Sequence, residues 1–359
     1  MNVQDYHLHR RGATINPEGR FEAFSYETFD DGWDKTEEAQ QIATSYLPEY
    51  AKTIINTNKS PDIPFDTSIN PYRGCEHGCV YCFARPSHSF TNLSPGLDFE
   101  SKIFYKKDTV RLLEKEFAKK KYRPKPIALG INTDAYQPIE KKLGITRSLL
   151  EVFCKYKHPV SLITKSSLIT RDLDLMTELA SQNLLHVFVS LTTMEMKLYQ
   201  KLEPRTATPK KRLAVIEKLA KAGIPVGVMC APMIPALNDM ELETLLQNAK
   251  DAGAKRAGYV LLRLPFEVKD IFANWLHTHY PLKEEHVWNL IRSTRGGKEY
   301  DASYGQRMSG TGEYAKLLRK RFRLAVKRLG FNQENLKLRT DLFAPPSPYG
   351  KQLLLFEDL

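Results

Sequence analysis

The chain lacks any apolar run approaching the roughly 18 residues that would suggest a membrane span, so none is expected. Its first residues, Met1–Arg11, are polar and lack the apolar core of a secretory leader. Neither an internal repeat nor a low-complexity block is present. Cysteine is scarce: 5 in 359 residues cannot staple a disulfide scaffold. Three of the five fall between Cys75 and Cys82, a pattern of metal chemistry in a reducing, cytoplasmic setting. Acidic residues are short, with Asp+Glu 42 against Lys+Arg 53, a net charge of +11. That excess suits a polyanionic partner, nucleic acid before a membrane surface. A hydrophobic share of 42% with 26% charged residues fits a soluble globular protein, one large domain with additions or two domains.

Residues 1–60 read as an irregular N-terminal extension with a helix near Lys35–Tyr50. From about Asp66 a regular alternation begins. Strand-like runs appear at Thr67–Tyr72, Pro126–Ile131, Pro159–Thr164, Leu185–Leu191, Ile224–Met229 and Gly258–Leu262. Between them lie helical patterns opened by Asp108, Thr146, Thr170, Thr208-Pro209 and Asn238, two of them closed by Gly223 and Gly253. Strands alternating with helices predict an α/β chain of parallel βαβ units. Six units are too few for an eight-fold barrel, so a partial (β/α)6 TIM-like barrel over 61–290 is expected, with a doubly wound sheet as the alternative. Either way the chemistry sits at the carboxyl ends of the strands. A basic helical region, 291–340, and a flexible tail, 341–359, complete the division.

The central motif is Asn70-Pro71-Tyr72-Arg73-Gly74-Cys75-Glu76-His77-Gly78-Cys79-Val80-Tyr81-Cys82, directly after the first strand. Cys-x3-Cys-x2-Cys supplies three thiolates and no obvious fourth ligand. A structural zinc site wants four, which His77 or a distant residue would have to complete. An iron–sulfur cluster held by three cysteines leaves one iron open to a small molecule. Gly74 and Gly78 let such a loop wrap tightly.

This spacing, with aromatic Tyr81 just before the third cysteine, resembles the radical S-adenosylmethionine (radical SAM) superfamily. The resemblance implies a [4Fe–4S] cluster on Cys75, Cys79 and Cys82 that chelates S-adenosyl-L-methionine. One electron, from a donor such as flavodoxin or ferredoxin, then releases a hydrogen-abstracting 5′-deoxyadenosyl radical. Over about residues 66–265 the chain is similar to the spore photoproduct lyase family, through Asn132-Thr133-Asp134, Ile163-Thr164-Lys165, Val189-Ser190, Leu202-Glu203-Pro204-Arg205-Thr206 and Ala231-Pro232-Met233. It implies that Asn132, Thr133 and Asp134 form the cofactor motif, with Thr133 and Asp134 meeting the methionine amino group. It also places Lys165 on the carboxylate, Ser190 on the ribose and Tyr81 near the adenine. Glu203 and Arg205 could equally form a structural ion pair.

Two departures stand out. Ile131 occupies the place of that family's cysteine hydrogen donor, and Phe83 that of its relay tyrosine, which argues against thymine-dimer reversal as such. Cys230, at the end of the fifth strand, is a candidate substitute donor or a packed core cysteine; Cys154 reads as packing. A branch of the superfamily with no settled substrate is similar over nearly the whole chain, through Phe83-Ala84-Arg85-Pro86-Ser87-His88, Asn132-Thr133-Asp134-Ala135-Tyr136-Gln137-Pro138, Arg10-Arg11-Gly12-Ala13 and Asp30-Asp31-Gly32-Trp33. On that likeness Arg85, His88, Tyr136, Gln137 and Glu140 line the substrate side of the rim, with Tyr136 a second catalytic candidate.

Glu313–Gly330 reads as a basic amphipathic helix whose stripe of Tyr314, Leu317, Leu318, Ala325, Val326 and Leu329 faces the core, leaving its cations for phosphate. After Pro345, Pro346 and Pro348, the segment Gln352-Leu353-Leu354-Leu355-Phe356 resembles the peptide that binds the bacterial sliding clamp. The function expected is a lyase-like or modifying radical SAM enzyme in DNA repair or modification. The alternatives are RNA or protein modification, or a non-catalytic metal-stabilised DNA-binding accessory.

Overall fold

A computed structural model describes residues 11–21, 42–334 and 337–346. Its strands in chain order are β1 Ser45–Glu49, β2 Asn56–Thr57, β3 Thr67–Ile69, β4 Tyr72–Arg73, β5 Lys102–Lys106, β6 Ile127–Leu129, β7 Val160–Thr164, β8 Leu185–Ser190, β9 Val226–Met233 and β10 Arg256–Leu261. β3, β6, β7, β8, β9 and β10 lie side by side in chain order and run parallel, and β2 adds antiparallel to β3. Among the described residues β10 pairs with β9 alone, so the sheet curls without closing. The expected partial barrel of six βα units is what forms.

Register decides which side chains face the helices. Leu162 sits opposite Val187 and Val189 opposite Val228, and these residues are buried with Leu149, Phe153, Leu179, Leu219 and Leu246. Alternation turns Ile163, Phe188 and Met229 to the other, concave face, where they are only half-buried. The connecting helices are amphipathic, and Thr208 caps the helix Pro209–Lys221 by accepting from Lys211 N. Thr146 does not cap its helix; its hydroxyl donates to Ala135 O at 2.5 Å, and Gly144 takes the cap position. A helix unforeseen in the sequence, Val268–His279, buries Val268, Ile271, Phe272, Trp275 and Leu276. No described helix is long and apolar enough to cross a membrane.

Two expectations need correction. Ser45–Glu49, placed in a helix, is an edge strand parallel to β5. Pro48 explains this: it disrupts a helix interior but is tolerated in an edge strand. In the helix Gly312–Leu329, Leu317 faces solvent at 55% exposure, while Ala315, Leu318 and Ala325 are buried. Its cation Arg321 is held by Glu243 at 2.6 Å, and Lys320, Arg323 and Lys327 lie exposed on the outer side. The clamp-like segment Gln352–Phe356 lies outside the described residues.

Residues 11–13 clamp the cysteine loop. Gly12 N donates to Glu100 Oε2 at 2.9 Å and Ala13 N to Glu100 Oε1 at 2.8 Å. Glu100 is fully buried and also holds Arg85 Nη2 at 2.5 Å. Arg11 donates to Glu100 O at 2.6 Å and to Ile42 O at 2.7 Å. Backbone meets backbone here: a Cβ on Gly12 would lie 1.7 Å from Gly78 O, between the first two cysteines. Gly12→Ala therefore has to push the loop away, at about 1–3 kcal/mol. The expected outcome is a lower melting temperature and less iron taken up on anaerobic reconstitution; a variant matching wild type in both would show that this contact does not govern the loop.

Candidate active site

The cysteine loop leaves β4 at the carboxyl end of the sheet and is tied down along its length. Cys75 N donates to Phe99 O at 2.8 Å, and Val80 N to Leu202 O at 3.1 Å. Gln137 holds it from below: Glu76 N donates to Gln137 Oε1 at 3.0 Å, and Gln137 Nε2 to Gly74 O at 3.2 Å. Arg85 Nε donates to Cys79 O at 3.0 Å. Gly74 and Gly78 both take positive φ, +77° and +65°, where a side chain is strained. All three cysteines are free thiols; Cys75 and Cys79 are buried and Cys82 is half-buried.

Burial disfavours thiolate here. It pushes Cys79 up to about 12, with the Lys165 ammonium opposing, and holds Cys75 well above its usual value, with Asp134 and Cys79 adding to the effect. Iron ions would supply the missing positive charge. Among the described residues no three Cys, His, Asp or Glu side chains converge closely enough to hold a single metal ion. Three thiols on one tied-down loop are the donor set that a four-iron cluster takes, one to each of three irons. His77, the proposed zinc completer, is instead turned to Asp134, with Nδ1 3.3 Å from Oδ2. The donor set therefore fits a cluster.

Asp134 is the knot of the rim. Oδ1 accepts from Tyr136 N at 2.8 Å and Thr164 Oγ1 at 2.7 Å; Oδ2 accepts from Lys165 N at 2.8 Å and faces His77. Burial alone would raise its pKa; His77, Lys165 N and Thr164 outweigh that and leave it at about 2. Its four lone-pair positions are taken by protein. Beside it Thr133 is buried and donates to Tyr72 O at 2.8 Å, while Asn132 is exposed, its N bonded to Asn70 Oδ1 at 2.9 Å.

Lys165 follows β7. The residue is half-buried, and its ammonium lies 5.8 Å from the Tyr81 ring centroid and takes no hydrogen-bond or ion-pair partner among the described residues. Burial works against its charge, but Cys79 and Glu203 outweigh it and raise the pKa. Tyr81 is fixed by donating to Glu203, which is also bonded by Arg212 and, at 2.7 Å, by Thr192 Oγ1. Arg212, equally buried, braces the end of β8 by donating to Ser190 O at 3.1 Å. Of the two readings open for Glu203 and Arg205, the ion pair between them does not form: Glu203 pairs with Arg212, and Arg205 turns to Glu76 Oε2 at 3.1 Å.

The loop and rim thus bring together Cys75, Cys79, Cys82, Tyr81, Thr133, Asp134, Lys165 and Ser190. Five residues expected to line the substrate side do not. Arg85, His88, Tyr136, Gln137 and Glu140 are all fully buried. The Tyr136 hydroxyl donates to Asp172 at 3.1 Å, and Glu140 accepts from Tyr72 OH at 2.5 Å. They hold the loop and rim from behind. Cys230 is likewise fully buried, on the helix-facing side of β9, where burial pushes its thiol up to about 12. Missed in the sequence were Gly12, Glu100, Arg212 and Gln137's grip on the loop; only Gly12, inside the Arg-Arg-Gly-Ala run, carried a signal.

Comparison with known proteins gives the same picture. Residues 69–249 match the profile of the radical SAM superfamily. An uncharacterized protein of Mycobacterium tuberculosis is 36% identical over 62% of this chain and 67% of its own length. Another, of Methanocaldococcus jannaschii, is 31% identical over 53% of this chain and 68% of its own. Spore photoproduct lyase, solved with a dinucleoside spore photoproduct, superposes with TM-score 0.57 over 80% of each chain at 17% identity, a likeness of fold. With half of its residues in the matching profile and the three-cysteine loop standing at the carboxyl end of six parallel strands, the chain belongs to the radical SAM superfamily, whose cofactors are a [4Fe–4S] cluster and S-adenosylmethionine.

Proposed function

We propose that this radical SAM enzyme acts on nucleic acid, with DNA as the working target. Cys75, Cys79 and Cys82 would hold the cluster, and Lys165 the methionine carboxylate, since among the described residues its ammonium, beside the cysteine loop, lacks an acceptor. Ser190 and Tyr81 would border the ribose and adenine. Asn132 and Thr133 would stand at the amino group, and Asp134, already filled by its neighbours, would keep Lys165 and His77 in place. When bound and supplied with one electron, the cofactor pair provides a 5′-deoxyadenosyl radical that abstracts hydrogen; the protein binds the target, orients it and excludes water.

The observation that carries the nucleic-acid reading is an exposed ladder of rings and guanidinium beside the site. Phe21 stacks on Phe90 at 5.1 Å, and Arg20 lies 5.4 Å from the Phe21 centroid and 3.7 Å from that of Phe266. Phe90 belongs to the turn after the cysteine loop, and Phe266 follows β10. Phe21, Phe90 and Phe266 are 52%, 67% and 62% exposed, a costly arrangement in water unless flat partners cover it. Bases stack on such rings regardless of sequence, and cations track the phosphates. The exposed cations of the helix Gly312–Leu329 and the net charge of +11 support the same partner.

Two measurements check this. Lys165→Ala should weaken S-adenosylmethionine binding by about 1.5–3 kcal/mol while reconstituted iron stays at the wild-type level; unchanged affinity would remove Lys165 from the cofactor site. Mass spectrometry of 5′-deoxyadenosine formed in the presence of deuterated substrates tests the target. Deuterium is expected from DNA carrying modified or damaged bases, and its arrival only from RNA or from protein would refute the DNA assignment.

A further inference from the structure

Arg263 stands just beyond the end of β10, on the same rim as Lys165. Its backbone is fixed on both sides of the peptide before it: Leu262 N donates to Met233 O at 2.9 Å, and Leu262 O accepts from Arg295 Nη2 at 2.7 Å. Arg295 is itself buried, 3% exposed, and its Nη1 donates to Gln306 O at 3.0 Å. The Arg263 guanidinium carbon lies 4.9 Å from the ring centroid of Phe83, the residue directly after Cys82. Only Met308 Sδ approaches its Nη1, at 3.6 Å, and thioether sulfur is a weak acceptor. Nε of Arg263 and Nε of Arg295 are both buried without a partner.

The neighbouring arginines make the contrast. Arg20 has Glu267, Arg205 has Glu76, Arg212 has Glu203 and Arg307 has Asp62. Among the described residues neither Arg263 nor Arg295 contacts a carboxylate. Burial lowers the Arg295 pKa, Tyr300 and Asp301 oppose that in part, and the Arg263 guanidinium adds a smaller lowering. Such an unpaired couple is unfavourable unless an anion joins it. With no carboxylate beside it, the Arg263 guanidinium next to the Phe83 ring keeps its charge available to an anionic oxygen.

We propose that Arg263, set beside Phe83 and backed by Arg295, is the subsite for a substrate phosphate beside the cysteine loop. This rests on the nucleic-acid reading for the identity of the phosphate, a phosphodiester of the bound strand. Phe83 then serves as the wall that fixes the fork and sets the distance between phosphate and cluster.

The test compares wild-type holoenzyme with Arg263→Gln and Arg263→Lys, using a short single-stranded oligodeoxynucleotide and, separately, pyrophosphate. Circular dichroism and iron content establish that each variant is folded. Arg263→Gln is expected to bind the oligonucleotide about ten-fold more weakly, with a log–log salt slope shallower by about one phosphate contact. Arg263→Lys should recover the slope but not the full affinity, because it keeps the charge and loses the fork. Pyrophosphate binding should fall in the same order. Should the oligonucleotide bind all three proteins with equal affinity and slope, the subsite is refuted and the nucleic-acid reading stands. Pyrophosphate bound through Arg263 with no oligonucleotide bound by wild type would keep the anion site and refute the nucleic acid. Failure of wild type to bind either probe refutes both.

Discussion

One buried carboxylate, Glu100, joins the parts of the molecule that have to meet for the cysteine loop to keep its shape. It takes the Arg85 guanidinium on one oxygen and the Gly12 and Ala13 N–H groups across both. Through Arg85 it reaches Cys79 O, and through residues 11–13 it presses Gly12 against Gly78. A buried pair of this kind adds little net stability compared with well-packed apolar groups, but losing one partner strands the other charge, typically at 3–5 kcal/mol. The loop is thus set by an all-or-none contact rather than by its own turn propensities.

A second buried pair, Glu203 with Arg212, plays the matching part on the opposite wall. Between them these residues hold the Tyr81 hydroxyl, Thr192 and the carbonyl that ends β8. Lys165 projects between the two systems, drawn by Cys79 and Glu203 but hydrogen-bonded to neither. The concave side of the sheet stays half-open because Ile163, Phe188 and Met229 face it and the barrel lacks the strands that would close it. The result is a rigid back, made of saturated charges, and a front whose cations Lys165 and Arg263 remain unsatisfied. Rigid backing with free cations is what binding and orienting an anionic molecule requires.

Much of this was legible in the sequence where periodicity or spacing carries it. The six parallel strands announce themselves as short apolar runs between capped helices, and Cys75, Cys79 and Cys82 by their spacing. Long-range polar pairing has no such periodicity. Proximity in sequence offers Arg205 as one partner for Glu203, but the chain folds so that Arg212, one turn into the next helix, takes it. The likeness that puts Tyr136, Gln137 and Glu140 on the substrate side carries no information on where their side chains turn; here they turn inward, Gln137 to the loop, Tyr136 to Asp172 and Glu140 to Tyr72. Gly12 lies 66 residues from Gly78, and nothing local foretells that the two backbones touch. β1 was hidden because its pairing with β5 crosses more than 50 residues, although Pro48 already spoke against a helix.

The central claim is that Cys75, Cys79 and Cys82 would hold the cluster, with Lys165 on the same rim for the carboxylate of S-adenosylmethionine. Electron paramagnetic resonance of the anaerobically reconstituted, dithionite-reduced protein tests it most directly. The account predicts about four irons per chain and a reduced [4Fe–4S] signal whose shape changes when S-adenosylmethionine is added. That signal should survive Cys154→Ala and Cys230→Ala and vanish with any one of Cys75, Cys79 or Cys82 replaced by alanine. A tightly bound zinc with no iron uptake, or a cluster signal indifferent to S-adenosylmethionine, would contradict it.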